Sequence, residues 1–324
     1  MERNDRIRIR ENVRVKGWEF AGGTLTGVVV EDSSGTETIQ TDFVIDATGR
    51  NGNSLSWLEA GGFGPVEETA LEIGTGYASA LFKKPVGWKS AVHSLTIRGS
   101  EPDTRSGFIF SVENDCWIVS LIGRFDQQPS GDPDEFLAFA KSLCEPDIFD
   151  WASQGDRITP IKTYKAPISR WRHYEKLDRF PARILPVGDA VAHSNPLFGQ
   201  GMTVASTHAM DLWELLTQIS ETDGTLDGIA KQYFERVQGF TKSVWQTLEN
   251  VEFGFSGTKG PRPADINERM AYSRGLRKLI EQDPEVHKLL FSVGHLAIPG
   301  DILKRPDIAA RVMEIVQEDD KTAQ

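Results

Sequence analysis

Residues 183–202 read RILPVGDAVAHSNPLFGQGM, and no other stretch limits the possible folds as tightly. A short apolar run, Arg183 to Val187, stops on Gly188-Asp189. The chain then turns through Asn195-Pro196 and passes Gly199-Gln200-Gly201-Met202 into TVASTHAMDLWELLTQI. There Val204, Met210, Leu212, Leu215 and Leu216 recur at three- and four-residue steps, which predicts a helix opening at Gly201. A strand that ends on Gly-Asp sets a carboxylate just past the carboxyl edge of a sheet, where open α/β folds bind ligands. A short acidic side chain there suits hydroxyl groups. Pro196 stiffens the loop, and the glycines let backbone come close to a ligand. The first turn of the helix aims unpaired N–H groups and a positive dipole end at the same place. Gly-Asp or Pro-x-x-Gly alone is a common turn. The ordered set of strand, Gly-Asp, loop, proline, glycine pair and helix is what carries the inference.

Bulk properties exclude several classes. The chain has 324 residues, enough for one large or two ordinary domains. A net charge of −11 argues against nucleic acid or an anionic membrane as the main partner. The first sixteen residues hold six basic side chains, interleaved with Glu2, Asp5 and Glu11. They read as a solvated strand face, not a targeting signal. No run approaches the ~18 apolar residues of a membrane span. The two cysteines suggest neither a disulfide framework nor a zinc site. Cys116, in CWIVSLIG, is expected in the core, and Cys144 as a small buried filler at a helix end. A reducing, cytoplasmic compartment is expected.

Along the chain, VRVKGWEF, GTLTGVVVED and GTETIQ read as a three-stranded meander. DFVIDATGR follows as a buried strand ending at Thr48-Gly49. Residues 1–65 thus form a first block, and the composition shifts near GGFGPVEE. From 66 to 165 strands dominate: ALEIGTGYASALF, AVHSLTIRG, GFIFSV and CWIVSLIGRF. One helix, DPDEFLAFAKSL, interrupts them with Asp132 or Asp134 as its N-cap. This block reads as an antiparallel sheet with a helix or two, set into a larger domain. Residues 166–220 return to α/β grammar, and 221–324 read as helices: IAKQYFERVQGFTKSVWQTLENV, INERMAYSRGLRKLIEQ and PEVHKLLFSVGHL. The polar tail EDDKTAQ is expected to fray.

The 183–202 run resembles the second FAD-binding motif of the aromatic-hydroxylase-type flavoprotein monooxygenases, a family that includes para-hydroxybenzoate hydroxylase, squalene epoxidase and flavin-dependent halogenases. VIDATGR, residues 44–50, resembles the strand-end motif before that family's substrate domain. The order of parts is similar too. The resemblance implies an α/β (α+β) fold: a Rossmann-like FAD-binding domain, an inserted antiparallel substrate sheet and C-terminal helices. It implies that Gly188 and Asp189 form the turn at the FAD ribitol, with Asp189 as its ligand. Pro196, Gly199, Gln200, Gly201 and Met202 would border the isoalloxazine ring. Ala47, Thr48 and Gly49 would lie near the ADP half. A reduced flavin carries negative charge on its pyrimidine side, which suits a helix N-terminus.

The family opens with a G-x-G-x-x-G fingerprint, and this sequence has none where it is needed. GTGYAS, Gly74 to Ser79, lacks the third glycine and sits in a strand pattern; GGTLTG, Gly22 to Gly27, is a hairpin. The FAD-binding domain therefore reads as incomplete, as in a family member lacking its first segment. A start assigned too far downstream, a deliberate shortening or a truncated gene would each give this sequence. Much of the FAD affinity should be lost with the segment, and strand edges left unpaired.

The implied activity is that of an NAD(P)H- and O₂-dependent monooxygenase, hydroxylating or epoxidising a small organic substrate of hydrophobic or aromatic type. Two rivals remain: a flavin-dependent reductase or dehydrogenase similar to geranylgeranyl reductase, and an inactive binding remnant. A homodimer is an open expectation. No two tryptophans are two apart, so the halogenases' Trp-x-Trp-x-Ile-Pro motif is missing and halogenation is disfavoured. No residue is assigned as catalytic acid or base, and no His/Glu/Asp spacing suggests a metal. His193 reads as a solvent-facing loop residue, with a catalytic role as the alternative. Arg170, Arg172, His173 and Tyr174 read as a surface salt-bridge cluster, with a cofactor- or substrate-facing role as the alternative. Arg50 fits a phosphate contact and a surface role equally. Trp88, Trp117 and Trp171 read as packing residues, with Trp117 an alternative pocket wall.

Overall fold

The structure, a computed structural model, describes residues 5–222 and 224–322. The strands are β1 Arg14–Ala21, β2 Thr24–Asp32, β3 Gly35–Gln40, β4 Val44–Asp46, β5 Glu68–Lys83, β6 Ser94–Ile97, β7 Ser106–Val112, β8 Cys116–Arg124, β9 Asp156–Arg157, β10 Lys162–Arg172, β11 Ile184–Pro186 and β12 Ala192–His193. The α-helices are α1 Ser54–Ala60, α2 Pro133–Lys141, α3 Asp147–Gln154, α4 Gly201–Glu221, α5 Ile229–Glu252, α6 Ile266–Gln282, α7 Pro284–Gly294 and α8 Pro306–Thr322. The chain divides into two units. The first comprises Met1–Thr69, Trp171–His193 and Gly201–Lys242; the second comprises Ala70–Arg170, Ser194–Gln200 and Ser243–Gln324.

In the first unit β1, β2 and β3 form an antiparallel meander. Gly22 and Gly23, with φ of 59° and 87°, make the tight turn between β1 and β2 that only such residues accept readily. Arg10 pairs with Asp32 and Glu37, and Lys16 with Glu31, so the basic residues described there sit on a solvated surface. Residues 1–4, Glu2 among them, lie outside the described residues. β4 and β11 pair in parallel, with Ile184 opposite Val44 and Pro186 opposite Asp46. The expected long strand DFVIDATGR is therefore only three residues of β4.

In the second unit the strand order is β10-β5-β8-β7-β6, with β9 also on β5. Alternation along the strands gives each face its own character. One face carries Ala78, Ala80, Phe82, Ile109, Val119 and Leu121, packed against Phe136 and Ala140 of α2 and Ile148 and Ala152 of α3. The other carries Tyr77, Ile122 and Ala166, with Phe108 and Leu197 against them. Asp132 caps α2 through bonds from Asp134 N–H and Glu135 N–H. Trp117 is buried beside Trp88 and Trp151, as a packing residue should be. Helices α6, α7 and α8 close on their own core of Leu276, Leu279, Val286, Ile308 and Val312.

Two expectations are corrected. Cys144 is exposed, because α2 ends at Lys141 and the cysteine falls beyond its apolar face. The tail does not fray where expected: α8 continues through Thr322, and Ala323 and Gln324 lie outside the described residues. Helix α1 has no counterpart in the sequence pattern, whereas α3 is a second helix of the middle block and α8 lies in the stretch 221–324 expected to be helical. Among the described residues no helix is long and apolar enough to cross a membrane.

Candidate flavin site

The site residues of the first unit gather where β4 and β11 end. Asp46, the last residue of β4, is buried, and its carboxylate accepts from Thr48 N–H at 3.0 Å and Thr48 Oγ1–H at 2.6 Å. The Ser54 hydroxyl donates to its other oxygen. An Asp whose side chain folds onto the backbone two residues on makes a tight turn, here leading into a short 3₁₀ turn at Gly49–Asn51. The Thr48 N–H and hydroxyl are thus both committed to Asp46, while Ala47 and Thr48 remain exposed residues.

β11 leads into a matching 3₁₀ turn, Gly188–Ala190. Gly188 has φ of 59°, and a Cβ there would lie 2.9 Å from the Ala205 Cβ of α4. Both facts demand glycine. The Gly188 N–H donates to His208 Nδ1 at 3.2 Å. That bond fixes the tautomer: His208 Nε2–H donates to Thr241 Oγ1 at 3.0 Å. His208 is fully buried, and burial lowers its pKa from 6.5 to about 4, so the ring is neutral. At the other end of the turn, Ala190 C=O accepts from Arg172 Nη1 at 3.1 Å and Tyr174 O–H at 3.2 Å.

Asp189 stands outward from this turn. A Cβ on Gly49 would come within 3.8 Å of its Cβ, and one on Gly201 within 3.9 Å of its Oδ1. Asp189 therefore occupies a cradle between two glycines, its Cβ toward Gly49 and its carboxylate toward Gly201, at the N-terminus of the 21-residue α4. Desolvation raises its pKa above the ordinary carboxylate value, and Arg50 pulls it back. Met202, in the first turn of α4, is 85% exposed. An acceptor for hydroxyls, two missing side chains and a helix N-terminus suit a polyol joined to an anionic or electron-accepting ring. The residues present in this unit fit that half of FAD.

The loop Ser194–Gln200 belongs to the second unit. Asn195 is buried, and its amide is fully used. Nδ2 donates to Glu252 Oε1 at 3.0 Å and to Thr75 Oγ1 at 3.1 Å. Oδ1 accepts from Leu197 N–H at 3.2 Å and from the Tyr77 hydroxyl. Burial pushes the Tyr77 phenol up, which keeps it a donor. Glu252 in turn pairs with Arg124, both all but fully buried, and the Arg124 guanidinium lies 4.0 Å from the Phe255 ring centre. Pro196–Phe198 forms a short 3₁₀ turn that Gly199 ends with φ of 66°. Nothing lies within 4 Å of where a Gly199 Cβ would be. Gln200 donates through Nε2 to Gly294 C=O at 2.9 Å, at the end of α7.

Of the cluster expected on the surface, Arg170 is half-buried and the other three residues are inside. Arg172, His173 and Tyr174 are buried, because their polar atoms meet backbone and side-chain partners and not water. Trp171 is buried, as a packing residue should be. His193 is half-buried on β12, not a solvent-facing loop residue. A cavity of about 450 Å³ in the second unit is lined by Lys84, Trp88, Lys89, His93 and Asp115, none of them a motif residue.

The model of the FAD binding domain family matches residues 1–244, three quarters of the chain. The chain belongs to this family. Among curated proteins it is similar to Protein Rv3254 of Mycobacterium tuberculosis, 36% identical over 180 residues, 55% of this chain and 38% of that protein. The match thus spans well under half of the relative's length. Among solved structures, the flavin-dependent brominase Bmp2 superposes with a TM-score of 0.62 at 13% identity, over 96% of this chain and 70% of that one. A flavoprotein/dehydrogenase from Cytophaga hutchinsonii gives 0.61 at 14%, over 96% and 70%. OxyS anhydrotetracycline hydroxylase from Streptomyces rimosus gives 0.59 at 14%, over 89% and 52%. These likenesses agree with the family match and show that the chain has the fold of FAD-binding proteins.

Proposed function

We propose that the protein is an FAD-dependent oxidoreductase of the monooxygenase kind, using NAD(P)H and O₂ on a small hydrophobic or aromatic substrate. The observation that carries this reading is the Asp189 cradle: an outward carboxylate between Gly49 and Gly201, where β4 and β11 end and α4 begins. In this reading Asp189 accepts from ribitol hydroxyls, and Gly188 shapes its turn. Ala47, Thr48 and Gly49 offer backbone to the ADP half. Pro196, Gly199, Gln200, Gly201 and Met202 border the isoalloxazine. FAD, when bound, would supply the redox chemistry that lets NAD(P)H and O₂ be used. The chain's own share is to orient, to exclude water and to stabilise charge at the opening turn of α4.

The substrate class rests on the second unit. On the sheet face that carries Tyr77 and Ile122, Phe108 and Phe110 stack at 4.5 Å and Tyr77 and Tyr164 lie 6.1 Å apart. Phe110 is 39% and Tyr164 41% exposed, so the face offers aromatic surface to an apolar molecule. On the same strands Ser79 and Ser120 satisfy each other at 2.6 Å. A cytoplasmic location belongs to the same proposal.

The test is a visible absorption spectrum of the purified chain, before and after adding FAD and removing the excess. A retained flavin band that Asp189→Ala abolishes is the expected result. A folded chain that shows no flavin binding even at saturating FAD sinks the reading. Oxygen uptake coupled to product then separates a monooxygenase from a reductase on the same fold.

A further inference from the structure

Arg172 ends β10 within the first unit and is buried. Its guanidinium reaches three acceptors. Nη1 donates to Ala190 C=O at 3.1 Å, Nη2 to Arg50 C=O at 3.0 Å and Nε to Glu68 Oε1 at 3.3 Å. The two carbonyls belong to different turns: Arg50 to the one after β4, Ala190 to the one after β11. Tyr174 O–H adds a second donor on Ala190 C=O at 3.2 Å. A planar guanidinium holds its donors at fixed angles, so one group bonded to both turns also fixes the distance between them. The strands that lead into the two turns pair over only three residues each, so the guanidinium adds a second tie between them.

We propose that Arg172 is a positioning residue, which sets the spacing of the Gly49 and Asp189 turns so that one FAD molecule can engage both at once. This rests on the assignment of those turns to the ADP and ribitol parts of FAD. A ligand that touches two sites on one rigid frame gains from their fixed separation; a ligand that touches one does not. Riboflavin, which lacks the ADP part, reaches only the Asp189 turn. Lysine would keep the charge of Arg172 but donate from a single point, and could not hold two carbonyls and Glu68 together.

The experiment is fluorescence titration of FAD and of riboflavin against the wild-type chain, Arg172→Lys, Tyr174→Phe and Asp189→Ala, with thermal melts of each. In Arg172→Lys, FAD should bind about tenfold more weakly while riboflavin changes by less than about threefold. Tyr174→Phe, which keeps the guanidinium and removes one donor from Ala190, should lower the same FAD-to-riboflavin preference by about threefold. A purely structural role would lower both affinities together, along with the melting temperature, and would overturn the inference. An unchanged preference in both variants would overturn it too, and Tyr174→Phe decides alone if Arg172→Lys does not fold. Wild-type chain that binds neither flavin refutes the assignment of the turns and the inference with it. If Asp189→Ala loses both flavins and Arg172→Lys keeps its preference, the assignment stands and the inference alone fails.

Discussion

The turn at Gly188–Ala190 and the loop at Ser194–Gln200 are neighbours in sequence, yet they are anchored by opposite electrostatics. Both lean on a buried arginine. In the first unit Arg172 spends two of its donors on carbonyls, and its acidic partner Glu68 keeps 27% of its side chain exposed. In the second unit Arg124 pairs with Glu252, at 2% and 0% exposure, and Phe255 covers the guanidinium. Arg124 Nη2 is buried with no partner among the described residues. Water can replace a lost partner in the first case but not in the second. The loop therefore has a rigid and fragile anchor, and the turn a more forgiving one.

Removing the charge of each carboxylate measures that difference. Glu252→Gln leaves Arg124 as an uncompensated charge in a dry site and should cost about 3–5 kcal/mol. Glu68→Gln, at a partly solvated pair, should cost about 1 kcal/mol or less. Urea unfolding of the two variants gives the ranking, and equal losses would erase the contrast. The double variant Arg124→Met with Glu252→Gln removes both charges and should recover part of the loss.

Acid should strike the first anchor. The pKa of His208 is lowered by burial, from 6.5 to about 4. Between those values the unfolded chain binds a proton that the folded chain refuses. Stability from this group is therefore full above about pH 6.5, falls as pH drops to about 4, and falls no further below. The span corresponds to up to about 3 kcal/mol. Protonation also removes the acceptor that Nδ1 offers to the Gly188 N–H. His208→Gln, whose amide can accept from Gly188 and donate to Thr241, should flatten this part of the pH–stability curve. A variant with the same acid slope as the wild type would place the titration elsewhere.

Much of the frame was legible because it rests on local chemistry. Gly22-Gly23 marks a turn through positive φ, Asp132 caps α2 through its own side chain, and Gly201 opens α4 as the periodicity of Val204, Leu212 and Leu215 predicts. What escaped depends on partners far along the chain. In SRWRHYEKL the mix of charges and rings looks solvated, until Arg50 C=O, 122 residues away, is seen to accept from Arg172. Asn195 reads as the start of an Asn-Pro turn, yet Glu252, 57 residues on, uses its amide. His208 sits at an interior position of α4 and carries no signal beyond its burial; only Gly188 N–H, 20 residues back, reveals its role. The place of helix α3 escaped because its apolar face is short among the strands around it.

The smallest effect separates the two glycines that end the motif's turns. Both have positive φ, 59° at Gly188 and 66° at Gly199, so alanine at either carries backbone strain of about 1–2 kcal/mol. At Gly188 the added methyl also meets the Ala205 Cβ at 2.9 Å, against a helix that cannot easily move; at Gly199 it meets nothing within 4 Å. Gly188→Ala should therefore cost more than Gly199→Ala by about 1 kcal/mol or more, the price of overpacking added to strain. Paired thermal melts without flavin measure the difference. If the two variants melt alike, the turn yields as readily as the loop, and the close approach of α4 to Gly188 is not what fixes the Asp189 carboxylate.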